Sequence, residues 1–384
     1  MVSSQTSRLY RPMTSRHPYE PHRAATPLEL FFDLCFVVAV AQAASHLHHD
    51  VTEGYVGHGV LGYLTVFFAI WWAWMNFSWF ASAYDNDDVP YRLTTLIQIA
   101  GALTLAAGVP SAFDAGNFLI ITVGYVIMRM AMVGQWLRAA RQDPPRRVTA
   151  LRFAVGITLV QIGWVARLAL PDDLLLPAFF VLVVCELAVP LWAERAAPTQ
   201  WHPHHIAERF GLFTLIVLGE SVLAATLAIE SGLGAGHDPR LIGLALAGLV
   251  IVFAMWWLYF DRPAHDLITS TRAGFRWGYG HYLILASAAA VGAGLAVSVD
   301  YDTHASHLSG RAAGLATAIP VAVFLLSVWV LQVWPRQRGP VTVAYPVAAV
   351  LALLAPVTGA PVHVIAAVLA VLVAIVVATG PRTE

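Results

Sequence analysis

Lysine is absent from this 384-residue chain, and all 22 basic residues are arginine. We read that bias as a habit of base composition or lineage and attach no mechanism to it. Charge of either sign is scarce: 12% of residues are charged, where soluble domains carry about 25%. With 58% hydrophobic residues and a mean hydropathy of +0.68, this scarcity excludes a soluble globular class and marks an integral membrane protein. A net charge of -1 gives nucleic acid nothing to bind. The two cysteines, Cys35 and Cys185, both lie in apolar runs. They make neither a disulfide framework nor a metal site, and they read as small buried hydrophobes. No nucleotide-binding loop, Ser-His-Asp order or appended soluble domain is visible, which argues against ATP-driven transport and hydrolysis by a separate domain. The sequence calls for no cofactor.

What is present is a succession of about twelve apolar runs, each near the ~20 residues that a helix needs to cross the hydrocarbon. Their expected cores are 28–48, 57–83, 92–111, 115–137, 150–170, 174–194, 206–229, 240–260, 279–299, 312–334, 341–358 and 361–379. Residues 1–26 are polar, carry Arg8, Arg11, Arg16 and Arg23, and read as a disordered cytoplasmic tail. They have no apolar stretch that would make a signal peptide. With the N-terminus inside, eighteen arginines fall in cytoplasmic segments, three fall outside (Arg167, Arg240, Arg311), and Arg129 lies within a span. That bias puts both termini in the cytoplasm and the protein in the bacterial inner membrane.

An internal repeat is expected as well. Glu29 opens the first span and Glu208 the seventh, at an offset of 179 residues, and Gln42 matches Ser221 at the same offset. Trp71-Trp72 and Trp256-Trp257 follow in the next span of each half, with Asn76 and Asp261 four positions past the second tryptophan. The fold class predicted is therefore all-α, with two six-helix halves (27–200 and 201–384) in parallel repeat.

Acidic residues inside such runs need a physical reason, because a charge at mid-bilayer costs at least ~2.5 kcal/mol on insertion scales. Glu208 and Arg209 form an acid-base pair at the mouth of the seventh span, and Glu220 lies ~18 Å further in, so it is neutral, paired or facing a polar cavity. Glu29 and Asp33, four apart, share a face of the first helix. Glu29 also suits the positive end of the helix dipole, whereas Asp33 is harder to explain that way. Arg129 and Glu186 each sit ~12 Å from the cytoplasmic end of their spans and read as a buried structural pair. On that reading Arg129→Ala is worse tolerated than Arg129→Leu combined with Glu186→Leu. Asp85, Asp87 and Asp88, with Asp261 after the eighth span, make acidic ends. They suit either pairing with Arg92 or Arg272 or a divalent cation bound through oxygen. His46, His48 and His49 close the first span and His202, His204 and His205 precede the seventh; these read as solvated rather than metal-binding. The tryptophans near span ends read as interfacial anchors.

The run Pro27-Leu28-Glu29-Leu30-Phe31-Phe32-Asp33-Leu34-Cys35-Phe36-Val37, the cluster Tyr84-Asp85-Asn86-Asp87-Asp88, the stretch Glu208-Arg209-Phe210-Gly211-Leu212-Phe213 with Leu218-Gly219-Glu220-Ser221, and Trp256-Trp257-Leu258-Tyr259-Phe260-Asp261 together resemble the bacterial low temperature requirement protein A family. The motifs cover about the first 280 residues, and the last hundred resemble the family in hydropathy alone. The resemblance implies a polytopic inner-membrane protein linked by name to growth in the cold, and it implies no particular reaction. Two function classes follow from the residues. One is a secondary, proton- or ion-coupled transporter of an unspecified small molecule or ion, with Asp33, Glu220, Glu29, Glu208 and Arg209 as coupling candidates. The other is an intramembrane enzyme acting on a lipid or isoprenoid at the cytoplasmic face, while a non-catalytic stress-response protein is a third, plainer reading. The lipid bilayer is the one partner implied, and a homo-oligomer is left open.

Overall fold

The computed structural model describes residues 9–15, 24–234, 239–336 and 338–379. Among these residues there are no strands and twelve α-helices: α1 (Pro27–Thr52), α2 (Val56–Tyr84), α3 (Val89–Ala115), α4 (Leu119–Gln142), α5 (Arg147–Arg167), α6 (Asp172–Ala193), α7 (Pro203–Gly234), α8 (Pro239–Phe260), α9 (Thr271–Asp302), α10 (Gly310–Val328), α11 (Pro340–Leu354) and α12 (Pro361–Thr379). Eleven are long and apolar enough to span a membrane. The other, α7, runs for 32 residues. The expected cores coincide with these helices to within a few residues except at α9, which starts at Thr271 rather than near 279. There Ser270 accepts from the Ala273 amide, and this cap begins the helix ahead of its apolar stretch.

Proline marks where several helices begin. Pro27, Pro203, Pro239, Pro340 and Pro361 are first residues, a position whose amide has no intrahelical partner in any case. The α10 helix runs on into a π-helical turn at Trp329–Val333.

The chain divides into two compact units that interleave along the sequence. One holds residues 1–39 and 69–209, the other 40–68 and 210–384. In the first, α3 packs on α4, α4 on α5 and α5 on α6. Contact between α3 and α4 is close enough that a Cβ at Gly124 would fall 2.4 Å from the Leu105 backbone nitrogen. In the second, α9 packs on α10, α8 on α12, and α11 lies against α10 and α12. Here a Cβ at Gly294 would meet the Ala316 carbonyl oxygen at 2.2 Å. Small residues thus let backbones approach where lipid supplies no hydrophobic drive between helices.

The positions matched by the expected repeat differ in their surroundings. Trp71 and Trp72 are buried, whereas Trp256 and Trp257 are 45% and 44% exposed. Gln42 is exposed and Ser221 is buried. Cys35 is buried, but Cys185 is exposed on α6 beside the exposed Val181 and Val184. In a membrane the outer surface is as apolar as the core, so apolar neighbours do not tell the two apart.

Residues 9–15, within the stretch expected to be a free tail, are seated on the first unit. Met13 is fully buried, and its amide donates to Gln142 Oε1 at 2.6 Å. The Arg11 carbonyl accepts from Arg138 Nη2 at 2.7 Å and from Asn86 Nδ2 at 3.1 Å.

Candidate functional site

The first unit holds two buried polar clusters. In the first, Arg209 near the start of α7 grips Asp33 of α1 with two nitrogens, Nη2 to Oδ1 at 2.5 Å and Nε to Oδ2 at 3.1 Å. Its remaining nitrogen, Nη1, lies 3.2 Å from Glu29 Oε1. His205, one turn earlier on α7, approaches that same Glu29 oxygen through Nε2 at 3.1 Å. Asp33 Oδ1 also accepts from Trp74 Nε1 of α2 at 2.6 Å. Glu29 Oε2 accepts from the Thr26 amide and hydroxyl at 2.7 and 2.9 Å. Glu29, Asp33, His205 and Arg209 are all fully buried. The spacing explains the arrangement: Glu29 and Asp33 lie one turn apart on α1, as do His205 and Arg209 on α7, so each pair presents one face.

The second cluster surrounds Glu186 of α6, which is fully buried. Oε2 accepts from Arg129 Nη2 of α4 and from Trp72 Nε1 of α2, each at 2.8 Å. Oε1 accepts from the Tyr125 hydroxyl at 2.8 Å, Trp164 Nε1 at 3.2 Å and Gln161 Nε2 at 3.3 Å. Five donors from three helices, α2, α4 and α5, thus converge on one carboxylate of α6 and hold it in place. The expected pair of Arg129 and Glu186 is therefore two members of a larger nest.

The acidic residues after α2 are spread over separate tasks. Asp88 caps α3 by accepting from the Tyr91 amide at 3.0 Å, and it accepts from the Arg11 amide at 2.9 Å. Both Arg138 terminal nitrogens also donate to it, Nη1 at 2.9 Å and Nη2 at shorter range. Burial pushes the Asp88 carboxyl upward, but the hydrogen bonds from Arg138 and from the Arg11 and Tyr91 amides outweigh this and hold it below the usual carboxylate range. Asp87, with φ of 51°, pairs through both oxygens with Arg92 at 2.8 and 2.7 Å. Asp85 Oδ1 accepts from the Asp87 amide at 3.1 Å. Asp261 lies 3.3 Å from the neighbouring Arg262. Among the described residues no three of His, Cys, Asp and Glu converge as metal ligands.

A stability term that depends on Asp88 follows from its lowered value. The term is fully present above the unfolded carboxylate value of about 3.9 and is lost as pH falls through the folded one. The clasp on residues 9–15 should therefore hold at neutral and mildly acidic pH and open only below about pH 4. At neutral pH, Asp88→Ala should speed hydrogen exchange of the Arg11 amide by about tenfold or more, the usual worth of a hydrogen bond to a charged group. An unchanged Arg11 rate would show that the segment is held without Asp88.

The remaining expected residues are placed as follows. Glu208 and Arg209 do not pair: Arg209 turns inward, and Glu208 Oε1 accepts from the Ala25 amide at 3.2 Å. Glu220, half-buried on α7, makes no hydrogen bond or ion pair among the described residues. The His48 ring meets Asp300 at 2.6 Å and braces that span end, and the His202 backbone amide donates to Ser82 at 2.9 Å. Sequence reasoning did not single out His281 of α9, which is fully buried in the second unit. Its Nδ1 lies 2.7 Å from the Trp277 carbonyl oxygen, which can only accept, so Nδ1 carries the proton and Nε2 accepts from the Tyr259 hydroxyl at 3.0 Å. It also missed Trp72, Trp74 and Trp164 as donors. The mid-helix positions of Trp72 and Trp74 were the available signal, whereas Trp164 stands in the last turn of α5 and gave none.

The family profile described as bacterial low temperature requirement A protein (LtrA) matches residues 24–378. The chain belongs to this family. The match takes in both clusters and nearly all of the last hundred residues, where the motifs had given out. An uncharacterized protein of Rhizobium meliloti (strain 1021) is similar to this LtrA chain, 28% identical over 274 residues. That alignment covers 67% of this chain and 65% of the relative, so less than two thirds of that protein's length is matched. No solved structure matches. Family and fold together make this a multi-pass membrane protein in contact with the bilayer.

Proposed function

We propose that this LtrA protein is a secondary, proton- or ion-coupled transporter of a small molecule or ion. We place it in the inner membrane with both termini cytoplasmic, as the arginine distribution implies. The coupling centre in this reading is the cluster of Glu29, Asp33, His205 and Arg209. One observation carries it: a single oxygen, Glu29 Oε1, is approached by both Arg209 Nη1 at 3.2 Å and His205 Nε2 at 3.1 Å. Histidine is the side chain whose charge ordinarily changes near neutral pH. With His205 protonated, Glu29 has a cation of its own and Arg209 is left to Asp33. With His205 neutral, Arg209 serves both carboxylates. A proton at His205 thus redistributes the arginine between two acids on α1 and biases the α1–α7 pairing, as a coupled transporter requires of a two-state element. Glu220, further along α7, is a second protonatable group on the same helix. The acids after α2 are engaged in a helix cap, an arginine pair and a clasp on residues 9–15, an arrangement that favours transport over the enzyme reading.

The test is difference infrared spectroscopy on reconstituted protein between about pH 5 and about pH 8, the range in which histidine titrates. Wild type should show carboxylate bands that shift with pH and are altered in Asp33→Asn, and the shift should vanish in His205→Gln. Identical pH-difference spectra in wild type and His205→Gln would remove the cluster from any coupling role.

A further inference from the structure

The turn between α4 and α5 carries a second, separate feature. Five arginines lie on or beside it: Arg138, Arg141, Arg146, Arg147 and Arg152. Carboxylates neutralise two of them, Asp88 for Arg138 and Asp143 for Arg146. The other three meet no carboxylate among the described residues. Arg147 Nε donates to the Ala140 carbonyl at 3.1 Å, and Arg152 Nη1 to the Trp192 carbonyl at 3.3 Å. Arg141 is exposed and makes no hydrogen bond or ion pair there.

Arg141 and Arg147 flank the mouth of a groove of about 260 Å³ whose other walls are Leu137, Ala140 and Leu151. Below it α5 exposes Val148, Leu151, Val155, Leu159, Ile162 and Val165, spaced three and four apart. That spacing makes one apolar stripe along the helix. In a membrane-spanning helix such a stripe lies against acyl chains, and the Pro144-Pro145 turn at its end falls where headgroups begin. Guanidinium groups bind phosphate with fixed fork geometry. Basic pockets between spanning helices are also where anionic headgroups are held.

We propose that this groove is a binding site for an anionic phospholipid. Its phosphodiester sits between the Arg141 and Arg147 guanidinium groups, and an acyl chain lies along the α5 stripe. The occupant is a lipid and not a free anion, because the apolar wall and the stripe below it continue the two arginines into the hydrocarbon. The site stands apart from both buried clusters and does not depend on the transport reading.

Native mass spectrometry of detergent-purified protein, titrated with phosphatidylglycerol, phosphatidylcholine or inorganic phosphate, tests it. Wild type should bind phosphatidylglycerol in preference to phosphatidylcholine. Each arginine near an anionic surface contributes about fivefold, so Arg141→Gln should weaken binding about fivefold and Arg141→Gln with Arg147→Gln about thirtyfold. Arg141→Gln breaks no internal bond, so this arm reads out even if the double variant folds poorly. Arg92→Gln, which removes an exposed arginine already paired with Asp87, should leave binding unchanged. Equal binding of the two lipids would overturn the proposal. So would unaltered phosphatidylglycerol binding in Arg141→Gln, or displacement of the lipid by an equal concentration of inorganic phosphate.

Discussion

Replacing Glu186 by leucine should lower the stability of the purified protein by on the order of 5 kcal/mol, because it strands five buried donors at once. Trp72, Tyr125, Arg129, Gln161 and Trp164 all direct polar hydrogens at this one carboxylate. For an isolated ion pair, replacing both partners by apolar residues is often near neutral, and the double change Arg129→Leu with Glu186→Leu would then be tolerated. The nest alters that expectation. The double variant still leaves two indoles, a phenol and a carboxamide without their acceptor, at about 1–3 kcal/mol for each buried group that finds no substitute. Both variants should therefore unfold at lower temperature than Arg129→Leu alone in a detergent melt. A double variant as stable as wild type would mean that the four neutral donors have other acceptors within reach.

Arg209 should behave in the opposite way. Arg209→Gln strands Asp33 and weakens the hold on Glu29, a loss of ~3–5 kcal/mol for a broken buried pair. Adding Asp33→Asn should recover most of it, since the asparagine oxygen still accepts from Trp74 and no charge is left behind. Arg209→Lys should not rescue, because one ammonium group cannot reproduce the two-nitrogen grip on Asp33 together with the reach to Glu29. Unfolding midpoints of the three variants decide the matter. A lysine variant with wild-type stability would show that charge alone, and not the fork, holds the cluster.

The spans were legible because a bilayer demands a minimum apolar length. Arg129 and Glu186 could be paired in advance, since two opposite charges at one depth have few other ways to lower their insertion cost. The rest of their nest was hidden because tryptophan, tyrosine and glutamine in apolar runs look the same whether they pack, anchor or donate. Arg209 was misleading for another reason. Its sequence neighbour Glu208 was the acid at hand to pair with it, and only the fold brings Asp33 and Glu29 over it. The fate of Glu208 shows the same limit, since adjacency in sequence suggested a partner that the helix turned the other way. At Cys185, buried and lipid-facing positions share one composition, and no pattern in the chain separates them.

The bond between Asp33 and Arg209 joins residues 176 apart in sequence, and this bears on how the protein is made. At about 5–20 residues per second, the ribosome delivers Arg209 roughly 10–35 s after Asp33. During that interval α1 has already left the ribosome, carrying an acid whose arginine does not yet exist. The first helix must then wait at the translocon or at the membrane surface, or settle with its acid protonated, until α7 arrives. Assembly of this end of the molecule is thereby timed by its seventh helix, and a nascent chain halted before Arg209 would be an early substrate for membrane quality-control proteases.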